Sequence, residues 1–134
     1  MLREYLYAKI HRCVVTRCDP DYMGSITIDP LLLEATGLAI NEKVLVADCE
    51  NGNRFETYIF EGQRGSGEIG VNGAAANITG IGHHVLVMSF CQLTPEQAEH
   101  HRPKVVICND DNTIGQFIEY PPSTTPAAMA DVSA

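Results

Sequence analysis

The chain has 134 residues, enough for one hydrophobic core and too few for two full domains. Hydrophobic residues make up 45% of it, which excludes wholesale disorder, and no apolar run approaches the ~20 residues that span a bilayer. A net charge of −8 with nine lysines and arginines excludes the basic footprint of a nucleic-acid binder and makes each cation a candidate for recognising an acidic ligand.

Met1-Leu2-Arg3-Glu4-Tyr5 lacks the apolar core of a secretion signal, so a cytoplasmic location is expected. Cys13, Cys18, Cys49, Cys91 and Cys108 are scattered, with no Cys-x-x-Cys pair. They are expected as buried free thiols in a reducing compartment, not as a disulfide framework or a zinc site.

Leu6 to Arg17 reads as a strand, with Lys9 and His11 on one face. Both are solvated residues or part of a site on that pattern alone. Cys18-Asp19-Pro20-Asp21 predicts a turn, and a second strand is expected from Ser25 to Asp29. Asp29 as N-cap, Pro30 at the first helical position and Gly37 as terminator bound a short helix. Lys43 to Cys49 is a strand, Glu50-Asn51-Gly52-Asn53 a hairpin turn, and Arg54 to Phe60 the return strand. Alternation puts Arg54, Glu56 and Tyr58 on one face and Phe55, Thr57 and Ile59 on the other.

The region from Gly62 to Gly82 is rich in glycine turns. Gly65-Ser66-Gly67-Glu68-Ile69-Gly70 matches the letters of a dinucleotide-binding loop, but the Asn72-Gly73 turn stands where the required helix belongs. Asn72-Gly73-Ala74-Ala75-Ala76 is either a plain turn into one helical turn or a site whose small side chains leave backbone N–H groups open to a carboxylate. Val85 to Cys91 is a strand, Thr94 to Gln97 a capping box, and Val105 to Cys108 with Thr113 to Glu119 a closing hairpin. Residues 1–118 are expected as one domain and residues 119–134 as a mobile tail rich in proline, serine, threonine and alanine. His83-His84 and His100-His101 lack carboxylates at ligand spacing between them, so no metal site is expected.

The Gly24-Ser25 bond stands just before Ile26-Thr27-Ile28, at the mouth of a strand. Gly24 has no Cβ, so its carbonyl can be approached closely. The Ser25 hydroxyl can attack that carbonyl and turn the peptide into an ester. Elimination and hydrolysis then leave a pyruvoyl group in place of Ser25. Gly-Ser pairs are also common in ordinary turns.

Lys9-Ile10-His11-Arg12, Asp21-Tyr22-Met23-Gly24-Ser25, Asn51-Gly52-Asn53-Arg54-Phe55-Glu56-Thr57-Tyr58 and Val71-Asn72-Gly73-Ala74-Ala75-Ala76 occur in that order along the chain. In order and spacing they resemble the bacterial aspartate 1-decarboxylase family, from Met1 to about Ile118. The resemblance implies a six-stranded double-psi β-barrel with two or three short helices, assembled as a homotetramer with sites between subunits.

It further implies self-cleavage between residues 24 and 25, and a covalent pyruvoyl group from Ser25 as the only cofactor, with no metal and no pyridoxal phosphate. The ketone would form a Schiff base with L-aspartate, releasing carbon dioxide and β-alanine for pantothenate synthesis. Tyr58 would be the proton donor, and Thr57 would stabilise the Gly24 carbonyl during cleavage. Lys9, Arg54, Thr57, Asn72, Gly73, Ala74 and Ala75 would bind substrate, with His11 and Tyr22 as further candidates. A maturation factor is a further partner to consider; no nucleic acid and no membrane are expected.

The chain departs from the family's usual pattern at Ala47, at Asn77 and at Gly82-His83-His84-Val85, where Gly-Asp-x-Val is common. The rivals are a serine hydrolase, which Ser25 fits poorly without a nucleophile elbow, a pyruvoyl enzyme for histidine or arginine, and a non-catalytic binding barrel.

Overall fold

The structure is a computed structural model that describes residues 1–123. Among these residues there are nine strands, two α-helices and one 3-10 turn. The strands are β1 (Arg3–Val14), β2 (Arg17–Asp19), β3 (Ser25–Ile28), β4 (Lys43–Asp48), β5 (Arg54–Glu61), β6 (Ile69–Asn72), β7 (His84–Leu93), β8 (Lys104–Cys108) and β9 (Ile114–Glu119). The helices are α1 (Pro30–Thr36) and α2 (Pro95–Ala98), and the 3-10 turn covers Gly73–Asn77. No helix among the described residues is long and apolar enough to cross a membrane.

The strands are hydrogen-bonded in the order β2-β6-β3-β5-β4-β7-β1-β8-β9. β1 and β2 are two lengths of one bent strand, which closes six strands into a ring. Val15 N–H donates to His83 O, on the β7 side, and Thr16 N–H donates to Ile69 O, on the β6 side. Successive backbone groups of an extended chain point to opposite neighbours, so this segment joins β7 to β6. The mainly-β, six-stranded barrel expected from the resemblance is present, with the β8–β9 hairpin added beyond β1.

One buried side chain completes that closure. Asn112, in the β8–β9 turn at φ 65° and 3% exposed, accepts from Val14 N–H at 2.7 Å. Its amide donates to Val14 O and to Gly67 O, at 2.8 and 2.7 Å. It satisfies backbone groups that a strand would otherwise pair.

Inside the ring, alternate residues form a single core that includes Ala8 and Ile10 of β1, Ile26 and Ile28 of β3, Val44 and Val46 of β4, and Val85 and Val87 of β7. On β1, β4 and β7 these alternate with half-exposed or exposed neighbours, the signature of strands with one wet face, whereas β3 is buried on both faces, its outer side formed by Ser25 and Thr27. α1 is bounded as its sequence dictates: Asp29 caps it through Leu31 N–H, and Gly37 ends it in the left-handed conformation at φ 80°. Around Thr94, the capping box of α2 is also present.

The turn expected at Cys18-Asp19 is instead β2, which pairs in parallel with β6 through Arg17↔Gly70 to Asp19↔Asn72. The bend begins one residue later, at Pro20. At the other end, β9 runs through Glu119 and Tyr120 N–H donates to Pro103 O. Most of the residues expected as a tail lie outside the described residues.

Candidate active site

The loop Pro20–Gly24 is exposed, and the chain becomes buried at Ser25, the first residue of β3. Ser25 is 2% exposed. β3 pairs with β6 antiparallel, and this places Asn72 directly opposite Ser25. The Asn72 amide donates to Ser25 Oγ at 3.0 Å and to Thr27 Oγ1 at 3.1 Å. Ser25 Oγ in turn donates to Met23 O at 3.2 Å, which holds the hydroxyl over the backbone leading into Gly24. Asn72 Oδ1 is buried and has no donor among the described residues.

Gly73 lies against the Gly24–Ser25 bond. Its φ is +81°, and a Cβ there would sit 2.6 Å from Gly24 Cα and 3.4 Å from Tyr22 O. Asn72 precedes the 3-10 turn but does not cap it, because its side chain is turned toward Ser25. The first N–H groups of that turn therefore have neither an intrahelical partner nor a side-chain cap. Ala74 is exposed and Ala75 half-buried, so little covers them.

β5 is the other neighbour of β3 and runs parallel to it, with Ile26 beside Ile59. Tyr58 thus stands one residue before Ile59 as Ser25 stands one before Ile26, on the outer face of the barrel. Tyr58 is 38% exposed and meets Phe60 edge-to-face at 6.4 Å. The β4–β5 ladder has no bulge, so alternation holds: Arg54 and Tyr58 face outward and Thr57 lies on the opposite side of the strand. Thr57 and Tyr58 nevertheless both border an open cavity of about 310 Å³ with Lys43 and Glu56. Among the described residues Thr57 makes no hydrogen bond to Gly24. Arg54 is exposed, about 13 Å along β5 from Tyr58 at 3.3 Å per residue.

Lys9 and His11 share the outer face of β1, both half-buried, as their spacing predicted. Burial, then the charges of Lys9 and Arg12, push the His11 imidazole below its ordinary pKa. β1 pairs with β7 and β8, not with β3 or β5, and neither Lys9 nor His11 hydrogen-bonds to Ser25 among the described residues. Tyr22 is 47% exposed, beside Gly24.

Ser25, Gly24, Asn72 and Gly73 are thus brought together, with Tyr58 on the adjoining strand. Thr27 belongs with them and was missed; its same-face spacing from Ser25 was the available signal. Also missed was the setting of His83 and His84. His83 Nδ1 lies 2.7 Å from Asp48 Oδ2, and His84 reaches Glu50 and Asp110 at 3.4 and 3.2 Å. Asp48, Glu50 and His83 have ligand-type atoms within 4.8 Å of one another. The carboxylates come from the β4–β5 turn rather than from between the histidines, and Asp48 and His83 already satisfy each other.

The family model for aspartate decarboxylase matches residues 1–115. A protein named aspartate 1-decarboxylase from Caldicellulosiruptor saccharolyticus is 51% identical over 114 residues, which is 85% of this chain and 89% of the relative. One of the same name from Clostridium acetobutylicum is 50% identical over 115 residues, 86% of this chain and 91% of the relative. Another, from Staphylococcus aureus, is 48% identical over 118 residues, 88% and 93% of the two chains. The chain belongs to the aspartate decarboxylase family. It is therefore an enzyme, and its barrel is consistent with the double-psi β-barrel of that family.

Proposed function

We propose that the chain cleaves itself between Gly24 and Ser25 and converts L-aspartate to β-alanine and carbon dioxide, supplying pantothenate and coenzyme A synthesis. The observation that carries the reading is the Asn72–Ser25 hydrogen bond with Gly73 packed on Gly24. Asn72 holds the Ser25 hydroxyl beside the bond it attacks, and a residue without a side chain leaves room for the carbonyl to become tetrahedral.

The residues fit a pyruvoyl group at position 25. In its formation Ser25 Oγ would leave with the Gly24 carboxylate, Cβ would become a methyl and a water oxygen would replace the nitrogen on Cα. The Asn72 amide, freed of Oγ, would be the donor nearest the new group. Asn72 Oδ1, buried and without a donor among the described residues, can accept from an entering amine or water. When formed, the pyruvoyl group supplies the electron sink that lets an α-carboxylate leave as carbon dioxide.

The other roles fall to side chains. Tyr58 gives a proton to the substrate carbon. Arg54 pairs with a carboxylate through its planar fork, and Lys9 adds a point charge, which favours aspartate over cationic amino acids. Backbone N–H groups of Gly73 to Ala75 hold the second carboxylate. Thr57 assists at the Gly24 carbonyl, with His11 and Tyr22 at the margins. Tyr58 is exposed on the barrel's outer face and Ser25 is buried beneath the exposed Pro20–Gly24 loop, while Lys9 and His11 lie on a strand that does not pair with theirs. A second copy closes the pocket, in keeping with a homotetramer. The protein acts in the cytoplasm, alone or with a maturation factor.

The test is β-alanine production from L-aspartate by purified protein, beside the Ser25→Ala variant. Product from the first and none from the second supports the reading. Equal product from both, or product from histidine or arginine and not aspartate, overturns it.

A further inference from the structure

The segment that follows the site turn is fastened by side chains rather than by a sheet. Asn72 ends β6, and Gly82 N–H donates to Val15 O, in the link between β1 and β2. Between them, the β4–β5 turn does the holding. Thr79 Oγ1 donates to Asp48 Oδ2 at 2.8 Å, and His83 Nδ1 meets the same oxygen at 2.7 Å. Asp48 Oδ1 accepts from Glu50 N–H at 2.8 Å, so both carboxylate oxygens are engaged. The Asp48 side chain is fully buried. Asn53 Nδ2 donates to Ile78 O at 2.9 Å, and the His83 ring packs over Gly80, where a Cβ would lie 3.0 Å from Nε2.

This grip lies close to the scissile bond in the chain. A Cβ on Gly73 would meet Gly24 Cα at 2.6 Å, and Ile78 N–H donates to Ala75 O at 3.0 Å, a hydrogen bond inside the segment that connects Gly73 to Thr79. The carboxylate that His83 meets is that of Asp48, the last residue of β4.

We propose that Asp48, Thr79 and His83 form a pin that positions Asn72 to Ala75 against the Gly24–Ser25 bond, making Asp48 and His83 positioning residues for chain cleavage. The proposal rests on the reading of Ser25 as self-processing.

The pin is pH-sensitive. The Asp48 hydrogen bond, against burial and with the charges of Asp48 and Glu50, holds the His83 pKa above its ordinary value. Burial pushes Asp48 up, but hydrogen bonds from His83, Glu50 N–H and Thr79 outweigh it and hold the carboxyl low. Glu50 and Cys49 beside Asp48, His84 on β7 with Asp110 against it, and Cys18 on β2 are further titratable groups around it. A raised imidazole pKa means the charged pin is complete below the ordinary imidazole range and weakens as pH climbs through the raised value. On the acid side it fails only as pH falls through the lowered Asp48 value.

The experiment has two arms. In the uncleavable Ser25→Ala chain, amide exchange across residues 73–81 is compared with and without Asp48→Asn. The pin predicts exchange faster by about tenfold there, with β7 amides unchanged. Unchanged exchange in 73–81, or equal acceleration throughout, overturns it. In the cleavable chain, precursor half-time is followed by intact mass between pH 6 and pH 8, with thermal midpoints recorded beside it. Wild type slows as pH rises, Asp48→Asn cleaves about tenfold more slowly, and His83→Gln loses the pH dependence. Wild-type rates and an unchanged pH profile in both variants overturn the proposal. If wild type itself is never cleaved, the reading of Ser25 fails, while the exchange arm still decides on the pin.

Discussion

Gly73 shows how one residue can be required by geometry. Its φ of +81° favours glycine, and the space a Cβ needs is held by Gly24 Cα at 2.6 Å. Gly73→Ala is expected to cost about 1–3 kcal/mol in stability and to slow cleavage, read as a lower thermal midpoint and persistent full-length chain. Tyr58 predicts a different pattern. Tyr58→Phe keeps the ring that meets Phe60 and removes the proton, so cleavage proceeds while aspartate turnover falls by about 10²–10⁴. Separate assays of cleavage and turnover check this. The place of Ser25 at a strand entrance was legible because a Gly-Ser pair stands before Ile-Thr-Ile, whereas its expected role came only from the resemblance. Its hold by Asn72 was not legible, because the two are 47 positions apart and meet only when β3 pairs with β6.

At the scale of elements, α1 was legible to its ends, since Asp29, Pro30 and Gly37 each act on their own local backbone. What local rules did not reveal is the second task of Asp29. Its carboxylate also accepts from Gly65 N–H at 3.0 Å and from Gly67 N–H at 2.9 Å, fastening the glycine-rich loop to the helix start. Burial raises the Asp29 pKa, but the hydrogen bonds from Leu31, Gly67 and Gly65, aided by the charge of Arg64, hold it below the ordinary value. A depressed carboxyl contributes stability above its unfolded-state pKa, and loses it as pH falls through the folded value. Asp29→Ala should cost about 2–4 kcal/mol near neutrality, with the difference from wild type shrinking in acid. Thermal midpoints between pH 2 and pH 7 check both. β2 was misread because aspartates and Pro20 look like a turn, whereas its pairing with β6 is a tertiary choice that three residues cannot signal.

For the whole molecule, seven strands were visible in the sequence, but β2, β6 and the closure they make were not. The ring depends on Val15 and Thr16 handing the chain from β7 to β6, and on Asn112 filling the gap between β8 and β6. Asn112 read only as a turn residue, since the groups it satisfies are Val14 and Gly67, far away in sequence. Asn112→Ala leaves buried backbone groups unpaired, at about 2–4 kcal/mol. The check is chemical denaturation, in which the midpoint should fall while the fold remains. The expected assembly rests on the resemblance alone; Lys9 and His11 lie on a strand that does not pair with β3 or β5.

Self-processing at Gly24–Ser25 is the central claim, and the intact mass of purified protein under denaturing conditions tests it most directly. The account predicts two species, residues 1–24 and residues 25–134, the larger with a blocked amino terminus, and a single full-length chain from Ser25→Ala. A wild-type chain that stays whole after prolonged warming and after exposure to its host's lysate contradicts it.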